Sequence, residues 1–414
     1  MFHLLPVLLT GALASAPPDA REVPLVVRLG IDLVQVDAVV TDKKGRAVTD
    51  LGAADFEVRQ DGRVQAVTQA FYMGSVAGVG APPRPALQGP AEPEAALPEV
   101  AAESPEAPSD AIVFVVDDLS MSLSGVDATR RALLAFADAM EDGAQVFLLR
   151  TAGRAVDIQP LAGAGELRAA ARALRYQVLP GSNPDPTRAG LPPFHLYAEA
   201  TSLYLNGLLA RQSLLSLKDI TDALRSWKGR KTLVLFSEGF PLWDPTVRER
   251  FAPLDLAYGR GEDLLDAVER LTDLANRASV VMHTVDPRGL VTIGISAQDP
   301  MTMPHATAVN TLQARRNALH TSQGSLVRLA EGTGGLAVVN SNDLGSGVAR
   351  IVSDSRSYYL IGYEPAPETF ASERPRFHRL EVKVKRPGLK VRSRRGFFGL
   401  SDAALAALAP PPTY

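Results

Sequence analysis

The chain contains no cysteine. Disulfides, thiolate-ligated zinc, iron–sulfur clusters, thiol nucleophiles and a lipid anchor on cysteine are therefore excluded. Histidine is sparse, six in 414 residues, and no H-E-x-x-H zinc motif is present. Two further motifs are missing: the phosphate-cradling G-x-x-x-x-G-K-[ST] loop, and a G-x-G-x-x-G turn opening a helix. Charge of one sign is lacking too, since 43 Lys and Arg face 46 Asp and Glu for a net −3. Without a global basic field to collect phosphates, no nucleic-acid partner is expected. After the first sixteen residues no apolar run approaches the roughly 20 residues of a membrane-spanning helix, so no transmembrane segment is expected either.

What is present is an ordinary globular composition, 46% hydrophobic and 21% charged, long enough for more than one domain at roughly 100 to 200 residues each. The stretch Phe2 to Ala16 is apolar and closes in Ala12-Leu13-Ala14 and Ala14-Ser15-Ala16, the small-residue pattern of a signal-peptide cleavage site. Residues 1–20 thus read as a signal peptide, and the protein as secreted or periplasmic. Between 74 and 110, eight prolines, Pro82 to Pro108, lie among Ala and Glu with few aromatic or β-branched residues. That composition cannot bury enough apolar surface to offset its ordering entropy and reads as a linker. Residues 401–414 form an Ala- and Pro-rich tail.

Residues 22–73 carry a period of two. Val34, Val36, Ala38 and Val40 alternate with Gln35, Asp37 and Val39, and Phe56 and Val58 with Glu57 and Arg59. Lys43-Lys44-Gly45 and Asp61-Gly62 occupy hairpin-turn positions, the second being strong because φ > 0 is required there. Residues 356–400 return to strands, with Tyr358 to Tyr363 and the alternation of Leu380, Val382 and Val384 with Glu381, Lys383 and Lys385. Fifty residues of strand with open edges are marginal alone. The two terminal regions are therefore expected to share one small β-sandwich.

Residues 111–355 alternate short apolar strands with helical patterns. Strands are expected at 111–116, 145–150, 232–236, 280–285 and 336–339, and helices over 129–140, from 166, over 195–227, 262–278 and from about 306 to 331. That alternation predicts an α/β fold with a doubly wound, mostly parallel sheet flanked by helices.

The first of these strands ends in Val116-Asp117-Asp118-Leu119-Ser120-Met121-Ser122. Alternate residues of an extended turn project to one side, so Asp118, Ser120 and Ser122 form a D-x-S-x-S array just past the carboxyl edge of the strand, where open α/β sheets bind ligands. One carboxylate and two hydroxyls suit a hard cation, Mg²⁺ or alternatively Mn²⁺ or Ca²⁺. Asp117 reads as a neighbour in the turn, because only Asp118 has the spacing to both serines. In this motif the chain resembles a von Willebrand factor type A domain, whose metal-ion-dependent adhesion site begins with D-x-S-x-S. Further segments resemble the acidobacterial secreted family related to such domains: Val39-Val40-Thr41-Asp42, Asp55-Phe56-Glu57-Val58, Gly229-Arg230-Lys231, Ala330-Glu331-Gly332-Thr333-Gly334-Gly335, Tyr358 to Tyr363, and Arg386-Pro387-Gly388-Leu389-Lys390-Val391. The resemblance implies a further Thr ligand and an Asp in a T-D-G-like turn after the fourth strand. Here the turn reads Ser237-Glu238-Gly239, which puts Glu238 in the Asp position, and Thr201 is the nearest candidate for the Thr although it falls in a helical pattern.

The function expected on this basis is metal-dependent protein recognition or adhesion without enzymatic activity, a partner's acidic side chain completing the coordination of the ion. One alternative is a metal-independent structural or assembly module of the cell envelope with a degenerate site. A second is a serine hydrolase using Ser237, although Leu235 breaks the G-x-S-x-G elbow. His283 in an apolar strand reads as a core histidine, and the basic run from Arg374 to Arg395 as a solvated strand face.

Overall fold

In β1 (Val34–Thr41) every second residue is buried from Val34 to Val40, as the period of two predicts. The computed structural model describes residues 33–74, 111–141, 144–153, 158–176, 196–227, 230–240, 264–295, 305–370 and 376–399. The signal segment, nearly all of the linker, residues 177–195, 241–263 and 296–304, and the tail lie outside the described residues. Beyond β1, the N-terminal region forms β2 (Phe56–Gln60), β3 (Arg63–Gln65) and β4 (Val67–Met73). The turn between β2 and β3 takes positive φ at both Asp61 and Gly62, the type I′ geometry that follows the right-handed strand twist.

The C-terminal region forms β10 (Tyr358–Tyr363), β11 (Arg376–Val384), β12 (Lys390–Ser393) and β13 (Gly396–Gly399). These do not pair only among themselves. Two antiparallel four-stranded sheets, β12-β1-β10-β4 and β13-β11-β2-β3, each interleave strands from both ends of the chain. Val36 lies opposite Ile361 and Val58 opposite Val382, and both pairs belong to one hydrophobic core with Phe56, Tyr359, Leu380 and Phe397. The expected joint sandwich is therefore present.

Between its halves lies the parallel sheet, ordered β6-β5-β7-β8-β9. Its strands are β5 (Ile112–Val116), β6 (Val146–Arg150), β7 (Lys231–Phe236), β8 (Val280–Val285) and β9 (Ala337–Val338), every pairing being parallel. Six helices among the described residues cover it: α1 (Leu123–Asp138), α2 (Ala164–Ala173), α3 (Leu196–Leu224), α4 (Leu264–Arg277), α5 (His305–Thr333) and α6 (Leu344–Ser355). Val113, Val115, Leu233 and Leu235 face α3, α4 and α5, whereas Phe114, Val116, Val234 and Phe236 face α1, α2 and α6. Strands buried on both faces need no polar alternation, which is why they read as continuous apolar runs.

Helix α1 begins six residues before the expected Thr129, because the Ser122 hydroxyl accepts the Gly125 N–H at 3.0 Å and caps it. Helix α6 is absent from the sequence reading. Its glycines and serines obscure the pattern, yet Leu344, Val348 and Ile351 are buried on one side and the Asp343 carboxylate caps it.

Not all of the basic C-terminal run is a solvated face. Lys383 is exposed as expected, but Arg392 donates to the Gly334 carbonyl at 2.9 Å and Arg394 to that of Asn276 at 3.2 Å. Arg230 stacks over the Tyr358 ring at 4.3 Å. These arginines join the sandwich to the amino-terminal edge of the parallel sheet.

Two stability predictions follow from this packing. The buried Tyr359 hydroxyl accepts the Leu51 N–H and donates to the Val48 carbonyl, both at 3.0 Å. Tyr359→Phe strands both backbone groups and is expected to cost about 1–3 kcal/mol, read as a lower urea midpoint at constant slope. Asp273 on α4 is half-buried; burial pushes its carboxyl up to about 6, with Arg277 opposing and Glu269 reinforcing the shift. The folded state therefore binds this proton more tightly than the unfolded state does, so the stability it contributes is present at low pH and lost as pH rises through about 6. Asp273→Asn is expected to remove that decline and raise the melting temperature at neutral pH, checked by thermal melts across the range.

Candidate functional site

Strand periodicity continues past the end of β5. Val113 and Val115 face α3, so Asp117, two residues on, faces α3 as well. The backbone ladder continues with it: the Asp117 N–H donates to the Phe236 carbonyl at 2.9 Å, that of Thr151 to Val116 at 3.0 Å, and that of Ser237 to Val285 at 3.1 Å. Asp117 thus stands in register between Thr151 beyond β6 and Ser237 beyond β7. In a 2-1-3-4-5 strand order this gap between the first and third strands is the topological switch point, where the crossovers diverge and leave a crevice.

The Asp117 carboxylate is fully buried. Its Oδ1 accepts from the hydroxyls of Ser213 at 2.6 Å and Thr151 at 3.0 Å, and its Oδ2 from those of Ser120 at 2.6 Å and Ser237 at 2.7 Å. A carboxylate offers about four lone-pair positions, so all are filled. Burial pushes the Asp117 carboxyl above the usual carboxylate range, with the four hydroxyls opposing that shift.

Asp118 turns the other way. It forms a salt bridge with Arg150, accepts the Ala152 N–H at 3.0 Å and has its Oδ1 3.4 Å from the Thr151 hydroxyl. Of the three residues expected to converge, Ser120 therefore bonds to Asp117, while the Asp118 charge is committed to Arg150.

Glu238 lies one residue past Ser237 and so on the opposite face, beside the start of α1. Its carboxylate accepts the Ser122 N–H at 2.9 Å and contacts the Ser122 hydroxyl, across 116 residues of sequence. Gly239, at φ +84°, makes the turn that follows, and a Cβ there would stand 2.1 Å from the Ser322 carbonyl oxygen. Gly125 leaves space for the carboxylate, since a Cβ would lie 2.3 Å from Glu238 Oε1. Burial pushes the Glu238 carboxyl up, opposed by the Ser122 bond and by the charge of Arg288. The helix terminus and its N–H groups favour the ionised form.

Ser120, Ser122 and Glu238 are thus brought to one edge. Thr201 lies inside α3, and its side chain is outside the described residues. Three residues not expected at the site are Asp117, Thr151 and Ser213. The signal for Asp117 and Thr151 was available, an oxygen-bearing residue directly after an apolar strand; Ser213 has none, because helix packing alone delivers it. Asp286 follows β8 in the same way, and Arg288 donates to its two oxygens at 2.9 and 2.8 Å. Ser237 is fully buried, its hydroxyl donating to Asp117 and accepting the Gly239 N–H at 3.0 Å. His283 is buried, accepts the Leu336 N–H through Nδ1 at 3.0 Å, and is held well below the usual imidazole range by burial and then by Arg230 and Arg392.

Asp117 and Glu238 are buried carboxylates with no basic side chain hydrogen-bonded to either among the described residues. Hard oxygen donors surround them, a set that fits a hard divalent cation as missing counter-charge. Among the described residues there is no group of three or more His, Cys, Asp or Glu arranged to hold a metal, so such a site would be rich in hydroxyls and limited to two carboxylates. The chain matches no protein-family model and no curated protein sequence.

Gly125→Ala tests the fit between Glu238 and α1. Alanine is the better helix former by up to about 1 kcal/mol, yet its methyl overlaps Glu238 and the Met121 side chain. Net destabilisation of about 1–3 kcal/mol in urea is expected, smaller when the same change is made in a Glu238→Ala background, where only the Met121 overlap remains.

Proposed function

We propose that this chain is an exported recognition module, secreted or periplasmic, whose α/β part is a von Willebrand factor type A-like domain binding a partner protein through a divalent cation. The observation that carries the reading is the pair of buried carboxylates, Asp117 and Glu238, set among hydroxyls at the switch point with no basic side chain hydrogen-bonded to either among the described residues. The doubly wound parallel sheet supports it, as does the position of both carboxylates at the carboxyl ends of β5 and β7. Ser120, Ser122 and Glu238, with Asp117 behind them, would hold Mg²⁺, or Mn²⁺ or Ca²⁺ in its place. When bound, the cation offers a hard Lewis-acid centre that an acidic side chain of the partner completes.

The chain's own residues prepare that edge. Gly239 fixes the turn that presents Glu238, Ser122 starts α1 beside it, and Arg150 pairs with the Asp118 charge at the rim of the cluster. A second reading, a metal-independent envelope module, is favoured by one specific feature: Asp117 already has its four acceptor positions filled, and Glu238 itself satisfies the α1 terminus. The hydrolase reading gains no such support, since the Ser237 hydroxyl is bonded to Asp117 and no histidine is bonded to it among the described residues.

Calorimetric titration of Mg²⁺, Mn²⁺ and Ca²⁺ into chelator-stripped protein separates the two. Saturable binding is expected in the parent, lost in Asp117→Asn and Glu238→Gln and kept in Asp118→Asn. Heat-silent titrations with all three cations in the parent would leave the metal-independent module as the standing alternative.

A further inference from the structure

Building on the cation reading above, we propose that Ser213 is a positioning residue through which α3 responds to occupation of the site. Three of the four hydroxyls on Asp117 belong to segments that continue the sheet: Ser120 after β5, Thr151 after β6 and Ser237 after β7. Ser213 alone comes from a helix, and its bond to Oδ1, at 2.6 Å, is as short as any in the set. One turn further on, the Ser216 hydroxyl donates to the Thr151 carbonyl at 2.8 Å, so α3 is tied twice to the same strand ends. Leu214, Leu217, Ile220 and Leu224 of this stretch pack into the core.

Because every acceptor position on Asp117 is filled, a positive charge drawing on this carboxylate must compete with one of the four donors. Ser120 and Ser237 sit in tight turns within the site, and the Thr151 hydroxyl, which also lies 3.4 Å from Asp118 Oδ1, turns from one carboxylate to the other without leaving the sheet edge. Ser213 is the donor whose release acts on a helix rather than on the sheet edge, and releasing it removes a polar tie from the middle of α3. The hydroxyl thus opposes occupation and carries the response outward, whereas a purely structural serine would only support the site.

The two roles predict opposite shifts in affinity. Removing a competing, charge-assisted hydrogen bond should tighten cation binding in Ser213→Ala by roughly tenfold, while Ser213→Thr, which keeps the hydroxyl, should stay near the parent. Hydrogen exchange supplies the second readout. In the parent, Mn²⁺ or Mg²⁺ at saturation should speed exchange of α3 amides around Ser213, and Ser213→Ala should already exchange fast there, with no further response to the cation. Weaker binding in Ser213→Ala, or parent amides unmoved by a cation that calorimetry shows bound, overturns the role of Ser213 and leaves the functional reading intact. Absence of cation binding in the parent overturns both. Should Ser213→Ala fail to fold, Ser216→Ala tests the same linkage from the neighbouring tie, with faster α3 exchange before cation addition as the expected result and parent-like exchange as the contrary one.

Discussion

A single buried carboxylate organises the carboxyl edge of the parallel sheet. Asp117 collects hydroxyls from the turn after β5, the end of β6, the end of β7 and helix α3. Taking a charge out of water is expensive unless it is paired or fully hydrogen-bonded, and here four short O–H bonds do the stabilising. The same bonds fix the relative positions of four chain segments, so the geometry of Ser120, Ser237 and Glu238 depends on them. The cost of the buried charge is what makes the arrangement specific: each acceptor position on Asp117 has one hydroxyl, and only that of Thr151 also lies within reach of a second carboxylate, Asp118.

The sandwich makes a different demand. Its sheets close only when the two ends of the chain meet, and the α/β part is the long insertion between them. Arg230, Arg392 and Arg394 hold the junction by stacking and by donating to backbone carbonyls. Among the described residues, Arg230 Nε and Nη1, Arg394 Nε and His283 Nε2 are buried without a hydrogen-bond partner, while Arg230 Nε lies 3.7 Å from Asp37 Oδ2 and Arg392 is ion-paired with Asp354. The seam lies at the amino-terminal edge of the parallel sheet and the candidate site at the carboxyl edge, which separates joining the two parts from binding.

Much of the fold was legible because its signals are local. Alternation at Val34 to Val40 and at Leu380 to Val384, the Asp61-Gly62 turn, and five apolar strands separated by helical patterns are each visible within about ten residues. Helix α6 escaped because Gly345, Gly347 and three serines lower its propensity, and its burial against the sheet, a tertiary effect, outweighs that. The inward-facing arginines escaped for the same kind of reason. In sequence Arg392 and Arg394 resemble the exposed Lys383, and only the neighbouring unit distinguishes them.

At the site, the residue types were legible and their pairing was not. Sequence placed an acidic, serine-rich turn at a strand end, because strand ends and turn residues are encoded by nearest neighbours, whereas Glu238 was reached only through what the resemblance of its turn implies. Which of the adjacent Asp117 and Asp118 enters the hydroxyl cluster was decided by the face of β5 that packs on α3, and by Arg150 waiting on the other side. Ser213 became part of the cluster only because α3 lies across that face. Local chemistry thus determined the strands, turns and candidate oxygens, whereas direction, partner and charge state came from tertiary packing, since a side chain's environment at this site is made by segments 96 to 120 residues away.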